Sequence, residues 1–405
     1  MQAGTIFCPV ENETMSDRES CIDFLQRLIQ TQSLPGQEGE IAALMRDEME
    51  KLGYADARID EAGNAIGRVP GRGEAESLMF NTHLDHVDVG EHDAWPYPPF
   101  GGEVHDGKVW GRGAVDIKGP MAAQVYGVAR LIRDGFQPAG DVYVTGVVQE
   151  ETGGLGAQHL LTHLRPPLVV VGEPSRNEIR RGHRGRTELL LHTYGKSCHA
   201  SVPEEGVNAL AVVANFLGGI DRLEMRRDAD LGASTVAPTL IRTDQISPNV
   251  IPGEVWLTCD WRSVPGERGE DAREVLQSLA EASLVEGSRA EVTIPYYEMT
   301  AYTGMQMNVP CVHPGYILAA DHPAVSATKQ ILDRALGREV PVSVWQFATD
   351  GGHFAEAGQT CVGFGPGDDL LAHTIDEHVD IAALEKALDG NEALAKDLNA
   401  SVLDG

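Results

Sequence analysis

Three apolar runs in the first half of the chain each end on acids or a histidine, and this recurrence constrains the fold more than any other feature. SLMFNT (77–82) stops at His83-Leu84-Asp85, DVYVTGVV (141–148) leads into Glu150-Glu151, and PLVVVG (167–172) stops at Glu173. Short aliphatic runs of this kind predict strands buried on both faces, as in α/β sheets covered by helices. Polar residues at the ends of such strands gather on one rim of the sheet, where α/β proteins place their ligands. Successive strand residues point in opposite directions. The adjacent pair Glu150-Glu151 can therefore divide its roles, one carboxylate binding metal and the other staying free as a base.

Two textures alternate along the chain. Helical patterns at 16–30 and 37–52 precede strands near 65–69 and 77–82; an apolar helix follows at 118–134, then strands at 141–148 and 167–172. Between about 182 and 296 the order changes to strand (TELLLHTY), helix (VNALAVVANFLGGI), strand (STVAPTLI), strand (VWLTCDWR), helix (REVLQSLAEASLV) and strand (AEVTIP). This β-α-β-β-α-β order predicts a small ferredoxin-like unit. The α/β texture then resumes with a helix in HPAVSATKQILDRALG, strands in PVSVWQ and TCVGFG, and a helix from about 380. The predicted architecture is an α/β catalytic domain with a central, mostly parallel sheet flanked by helices. It is built from 1–181 and 297–405 and interrupted by an α+β lid and dimerisation domain at 182–296. Residues 1–15 read as a flexible polar extension, with Met15 an alternative start.

Composition narrows the class. A chain of 405 residues exceeds one simple core and suggests two domains. It has no apolar run of membrane-spanning length, and its N-terminus lacks the basic start and apolar stretch of a signal peptide. Cys8, Cys21, Cys198, Cys259, Cys311 and Cys361 show no C-x-x-C spacing, which fits reduced thiols in a cytoplasmic protein. A formal net charge of −29 argues against nucleic acid and anionic membranes as partners. One local reversal stands out: Arg176, Arg180, Arg181, Arg184 and Arg186 fall close together, either as a solvated segment or as a rim that attracts carboxylates.

The segments THLDHVD, WGRGAVDIKG, VVQEETGG, VVVGEPS, GHRGRTEL, GKSCHASVPEEGVNAL, SPNVIPG, CDWRSVP, TDGGHF and GFGPGDDLLAHTIDEHV occur in that order over nearly the whole chain. Together they resemble the di-zinc family of aminoacylases, carboxypeptidase G, acetylornithine deacetylases and succinyl-diaminopimelate desuccinylases. The resemblance implies two divalent ions per chain, zinc with cobalt or manganese as substitutes. Asp116 would bridge them, His83 and Glu173 would complete one site, and Glu151 and His373 the other. Asp85 would orient His83. The ions would polarise an amide carbonyl and acidify a shared water, whose proton Glu150 would take and pass to the leaving amine.

The same resemblance implies that His199 stabilises the tetrahedral oxyanion, within its own chain or, as is often so in the family, from the partner subunit of a homodimer. Asn249 and Arg262 would grip a substrate carboxylate, and Gly351 and Gly352 would let backbone approach the ligand. The expected substrate is an N-acyl amino acid, with a dipeptide or other short peptide as the alternative. A binding protein on the same fold would have no need of Glu150. Each residue also has a plainer reading, such as a solvated loop acid or, for Asp116, a helix N-cap. His86, His353 and His378 read as packing or surface histidines, and His92, His105, His159 and His163 carry no motif.

Overall fold

The computed structural model describes residues 16–401; the extension 1–15, with Cys8 and Met15, lies outside the described residues. A nine-stranded sheet forms the centre. Its order is Ala55–Ile59, Ala65–Val69, Val142–Val147, Leu78–His83, Leu168–Val171, Thr360–Gly363, Ile179–His183 and Tyr316–Ile317, with Val342–Trp345 also paired to Ile179–His183. Leu78–His83 runs parallel to both neighbours, and Leu168–Val171 runs parallel to Thr360–Gly363. The flanking pairs are largely antiparallel. The sheet is thus mixed, parallel at its centre, rather than mostly parallel throughout.

Alternation along the central strands explains why they read as unbroken apolar runs. Leu78 and Phe80 enter the larger core with Val142, Val144, Leu168 and Val170. Met79, Val147, Val169 and Val171 enter a second core on the opposite face with Leu160, Trp345 and Phe354. Helices Asp17–Gln30, Lys118–Arg133, Pro323–Leu336 and Ile381–Ser401 supply the first core; the short helices Leu155–Leu160 and Gly351–Glu356 supply the second. Local chemistry marks the helix ends. Ser16 and Glu19 form a capping box, and Pro323 opens a helix that ends at Gly337 with φ 62°.

A five-stranded antiparallel sheet lies in the middle of the chain. Its order is Thr235–Thr243, Glu254–Ser263, Gly185–Tyr194 and Arg289–Thr293, with Val312–His313 also on Gly185–Tyr194. Gly185–Tyr194 and Glu254–Ser263 alternate strictly between buried and half-buried residues. Helices Ala209–Ile220 and Gly269–Ala282 cover the buried face, where Leu189, Leu191, Phe216, Trp261 and Leu276 meet. The strand Val312–His313 lies beyond residue 296, so this sheet draws on chain assigned by sequence to the second catalytic segment. The edge strand Ala55–Ile59 and the hairpin Tyr296–Thr300 with Gln306–Pro310 were not legible as apolar runs, because most of their residues are only partly buried or exposed.

Candidate metal centre and active-site cleft

Parallel neighbours end on the same rim, and that is how distant acids meet. His83 closes Leu78–His83, Glu150 and Glu151 lie in the turn after Val142–Val147, and Glu173 follows Leu168–Val171. Asp116 comes from the turn before Lys118–Arg133, and His373 from the loop after the short helical turn Asp369–Leu371. His373 holds a left-handed backbone, φ 62°, a conformation that clusters at functional sites.

His83 Nε2 lies 3.0 Å from Asp116 Oδ1 and 3.7 Å from Glu173 Oε1. His373 Nε2 lies 3.2 Å from Asp116 Oδ2 and 3.1 Å from Glu151 Oε1. The ligand atoms of His83, Asp116 and Glu173 all fall within 4.8 Å of one another, as do those of Asp116, Glu151 and His373. Asp116 thus presents one oxygen to each trio, the arrangement of a bridging carboxylate. Asp85 is fully buried and does two jobs. Its carboxylate stands 3.3 Å from His83 Nδ1, and its two oxygens accept the backbone N–H groups of Glu150 and Glu151, each at 3.1 Å.

The donor set is short of positive charge. Burial, then Asp350, Glu173 and Glu151, push the Glu150 carboxyl well above the usual range against the pull of His83. Burial and Asp116 raise Glu173, and the same two causes raise Glu151. Burial lowers His83, but its hydrogen bonds to Asp116 and Asp85 outweigh this and lift it well above 6.5. Asp116 and Glu151 raise His373 to about 10. For Asp116, burial opposes ionisation, yet the two imidazoles hold it below the ordinary carboxylate range. Burial and mutual repulsion favour protonated carboxyls here, and the neighbouring carboxylates favour protonated imidazoles. Three ligand carboxylates and two imidazoles, grouped in trios around a shared oxygen pair, fit two divalent ions that would displace those protons.

The cleft over the rim is a cavity of about 420 Å³, and Arg186, Arg262, His313, Phe347 and Ala348 also line it. Arg262 was legible by resemblance. Arg186 stands in the segment GHRGRTEL and in the arginine cluster without an assigned role there, and of that cluster it alone lines the cleft. Arg186 Nε and Arg262 Nε bind opposite oxygens of Asp260, at 2.7 and 2.6 Å. His313 is lowered to about 4, chiefly by burial, so it is a neutral imidazole in the cleft. No motif marked it.

Other candidates lie elsewhere. His199 and Asn249 come together, because Cys198–His199 pairs with Val250–Ile251 and Asn249 O accepts the Ala200 N–H at 2.9 Å. Neither lines the cleft of its own chain, and His199 is exposed. Gly351 and Gly352 do not line the cleft either. A Cβ on Gly352 would sit 1.9 Å from the Pro314 carbonyl oxygen, so close packing against the chain, rather than a ligand, requires that glycine. The same TDGGHF segment carries a residue passed over in sequence: Asp350, buried with neither oxygen hydrogen-bonded, and raised to about 7 by burial and Asp85 against the pull of His83. His86 is buried, accepting the Ser33 N–H on Nε2 at 3.0 Å, and is a packing residue.

Glu377, in the segment GFGPGDDLLAHTIDEHV but given no role from sequence, is a further supporting residue. Fully buried, it binds Arg112 at 2.5 Å and accepts the backbone N–H groups of Val115 and Asp116 at 3.0 and 3.1 Å. It therefore fixes the turn that aims Asp116. Glu377→Gln keeps the shape but leaves Arg112 buried without its counter-charge. We expect a loss of about 3–5 kcal/mol in denaturant unfolding, since breaking one half of a buried pair costs that much.

An α/β rim bearing two candidate ligand trios, a carboxylate between them and a further glutamate is the kind of site that a metallohydrolase uses to hold two ions. The chain belongs to Peptidase family M20/M25/M40, whose model matches residues 79–397. It is 31% identical over 361 residues to the Escherichia coli (strain K12) protein YgeY, an uncharacterized protein, covering 87% of this chain and 88% of that one. It is 24% identical to a Staphylococcus epidermidis protein described as a "probable succinyl-diaminopimelate desuccinylase", covering 90% of this chain and 94% of that one. Among solved structures, the Bacillus subtilis YXEP protein, a dinuclear metal-binding peptidase, shares the fold with a TM-score of 0.73 at 16% identity, over 95% of this chain and 99% of that one. No helix among the described residues is long and apolar enough to cross a membrane.

Proposed function

We propose that the protein hydrolyses the amide bond of an N-acyl amino acid, with two zinc ions held by His83, Asp116, Glu151, Glu173 and His373. One observation carries this reading: Glu150, outside both ligand trios, shares a cavity with those trios and with two guanidinium groups. The mixed imidazole and carboxylate donors favour zinc, with cobalt or manganese as substitutes. When bound, the ions supply Lewis acidity toward the amide carbonyl and acidify water. Glu150 takes the proton of the attacking water as the C–O bond forms. It returns that proton to nitrogen as the C–N bond breaks, giving a carboxylate and an amine. The desolvated setting that resists ionisation makes Glu150 a stronger base than an exposed carboxylate.

Arg186 gives its Nε to Asp260, and Arg262 gives its Nε and, at 3.4 Å, its Nη2, which leaves the terminal nitrogens of Arg186 and the Nη1 of Arg262 to face a substrate carboxylate. A screen of N-acetyl, N-succinyl and N-formyl amino acids against dipeptides, with metal-loaded protein, tests the substrate class. Arg262→Ala should lower kcat/KM for the best N-acyl amino acid roughly 10–100-fold, the worth of a charge-assisted hydrogen bond. Its C-terminal amide analogue should lose little further on that substitution. Preference for dipeptides would replace this reading with a dipeptidase or carboxypeptidase and leave the metal chemistry in place.

The same proposal includes a homodimer formed through residues 182–296, between catalytic segments 1–181 and 297–405. Support comes from the outer strand Thr235–Thr243, an open sheet edge with Leu240 at 54% and Ile241 at 49% exposure. Two copies meeting there would cover that edge symmetrically. His199 and Asn249 would then serve the partner's cleft, and closure of the lid would exclude bulk water. Mixing inactive His199→Ala chains with inactive Glu150→Gln chains should restore part of the activity, because one cleft of a mixed dimer has both groups. No recovery despite subunit exchange would confine His199 to its own chain. The five described cysteines are free, which supports a cytoplasmic setting.

A further inference from the structure

Asp60, His159 and His163 offer three ligand atoms that all lie within 4.8 Å of one another, and none of these residues lines the cleft. His163 Nε2 stands 3.5 Å from Asp60 Oδ2, and the two imidazole rings are 5.2 Å apart. His159 lies in the helix Leu155–Leu160 and His163 in the turn that continues it. A spacing of four places both rings on one face of a helical turn.

Asp60 is held rigidly for this task. Its Oδ1 accepts the N–H groups of Ala62, Gly63 and Asn64, while Oδ2 accepts only Asn64 Nδ2, at 2.8 Å, and faces His163. The three groups open on a recess of about 470 Å³, also lined by Arg58 and Glu61. The Arg58 guanidinium is tied to Asp56, so it does not close the site. Two imidazoles with one carboxylate, leaving room for water, suit zinc, nickel or copper(II) rather than calcium or magnesium.

The recess is linked to the catalytic turn through Asn64. Asn64 Oδ1 accepts the Val148 N–H at 3.0 Å, and Asn64 Nδ2 donates to the Gly156 carbonyl at 3.0 Å. These two contacts bracket Glu150 and Glu151 in the chain. We propose that Asp60, His159 and His163 form a further divalent-metal site, separate from the catalytic pair. A bound ion there staples the turn 60–64 to the helix that follows the catalytic glutamates.

Equilibrium dialysis of the metal-loaded protein against zinc, followed by elemental analysis, tests the site. Wild type should retain one ion more per chain than His159→Gln/His163→Gln, while a His105→Gln control should match wild type. The difference of one ion does not depend on the substrate or on the identity of the catalytic metals. His163→Gln alone, at an exposed position, gives the same comparison if the double variant folds poorly. Zinc beyond the catalytic pair should also raise the thermal midpoint of wild type by a few degrees and leave the variant unmoved. Equal uptake by wild type and variant overturns the site, and an extra ion with no rise in midpoint overturns the staple.

Discussion

Glu150→Gln should keep its fold and both metal ions yet lose turnover by roughly 10²–10⁴-fold or more, because a general base is removed but no ligand. The amide is nearly isosteric, and the Glu150 N–H bond to Asp85 is a backbone contact that the substitution leaves intact. Elemental analysis and a thermal melt on the same preparation separate the base from a structural role. Glu151→Gln is the matched control: its Oε1 lies 3.1 Å from His373 within a ligand trio, so it should weaken one metal site. Near-normal turnover in Glu150→Gln would reverse the assignment of the pair.

Removing the metals should abolish activity, with zinc or cobalt restoring it, and should destabilise the protein more as pH rises. The sign follows from the proton balance of the metal-free site. Burial raises Glu150 and Glu173 well above 4.5 and Asp350 from 3.8 to about 7, so between those values the folded state binds protons that the unfolded chain has released. His373, raised from 6.5 to about 10, acts in the same direction at higher pH. Asp116 is lowered, but its effect falls below pH 3.8. The contribution of these site groups to the stability of the metal-free protein therefore declines from pH 6 to pH 8. The ions meet less proton competition over the same range. The gap between thermal midpoints of metal-loaded and chelated protein should widen from pH 6 to pH 8. Full activity in chelator, or a gap that narrows with pH, would contradict the proposed site.

The sequence by itself determined the α/β class and set His83, Glu150, Glu151 and Glu173 at strand ends. Leu78–His83, Val142–Val147 and Leu168–Val171 are buried on both faces, so each is an apolar run that any reader can locate, and a carboxylate or imidazole at its end breaks the pattern. The strict alternation in Gly185–Tyr194 and Glu254–Ser263 made the second sheet legible in the same way. Tertiary structure alone decided what those residues face. Strand periodicity records the burial of a strand's own faces and says nothing about which distant side chain lies opposite. Glu377 reaches Asp116 across 261 positions, and Asp350, His313 and Arg186 converge on the rim from separate elements. The same holds for Gly352, read as a ligand contact but required by the Pro314 carbonyl, and for His159 and His163, which meet Asp60 only once the chain has folded back on itself.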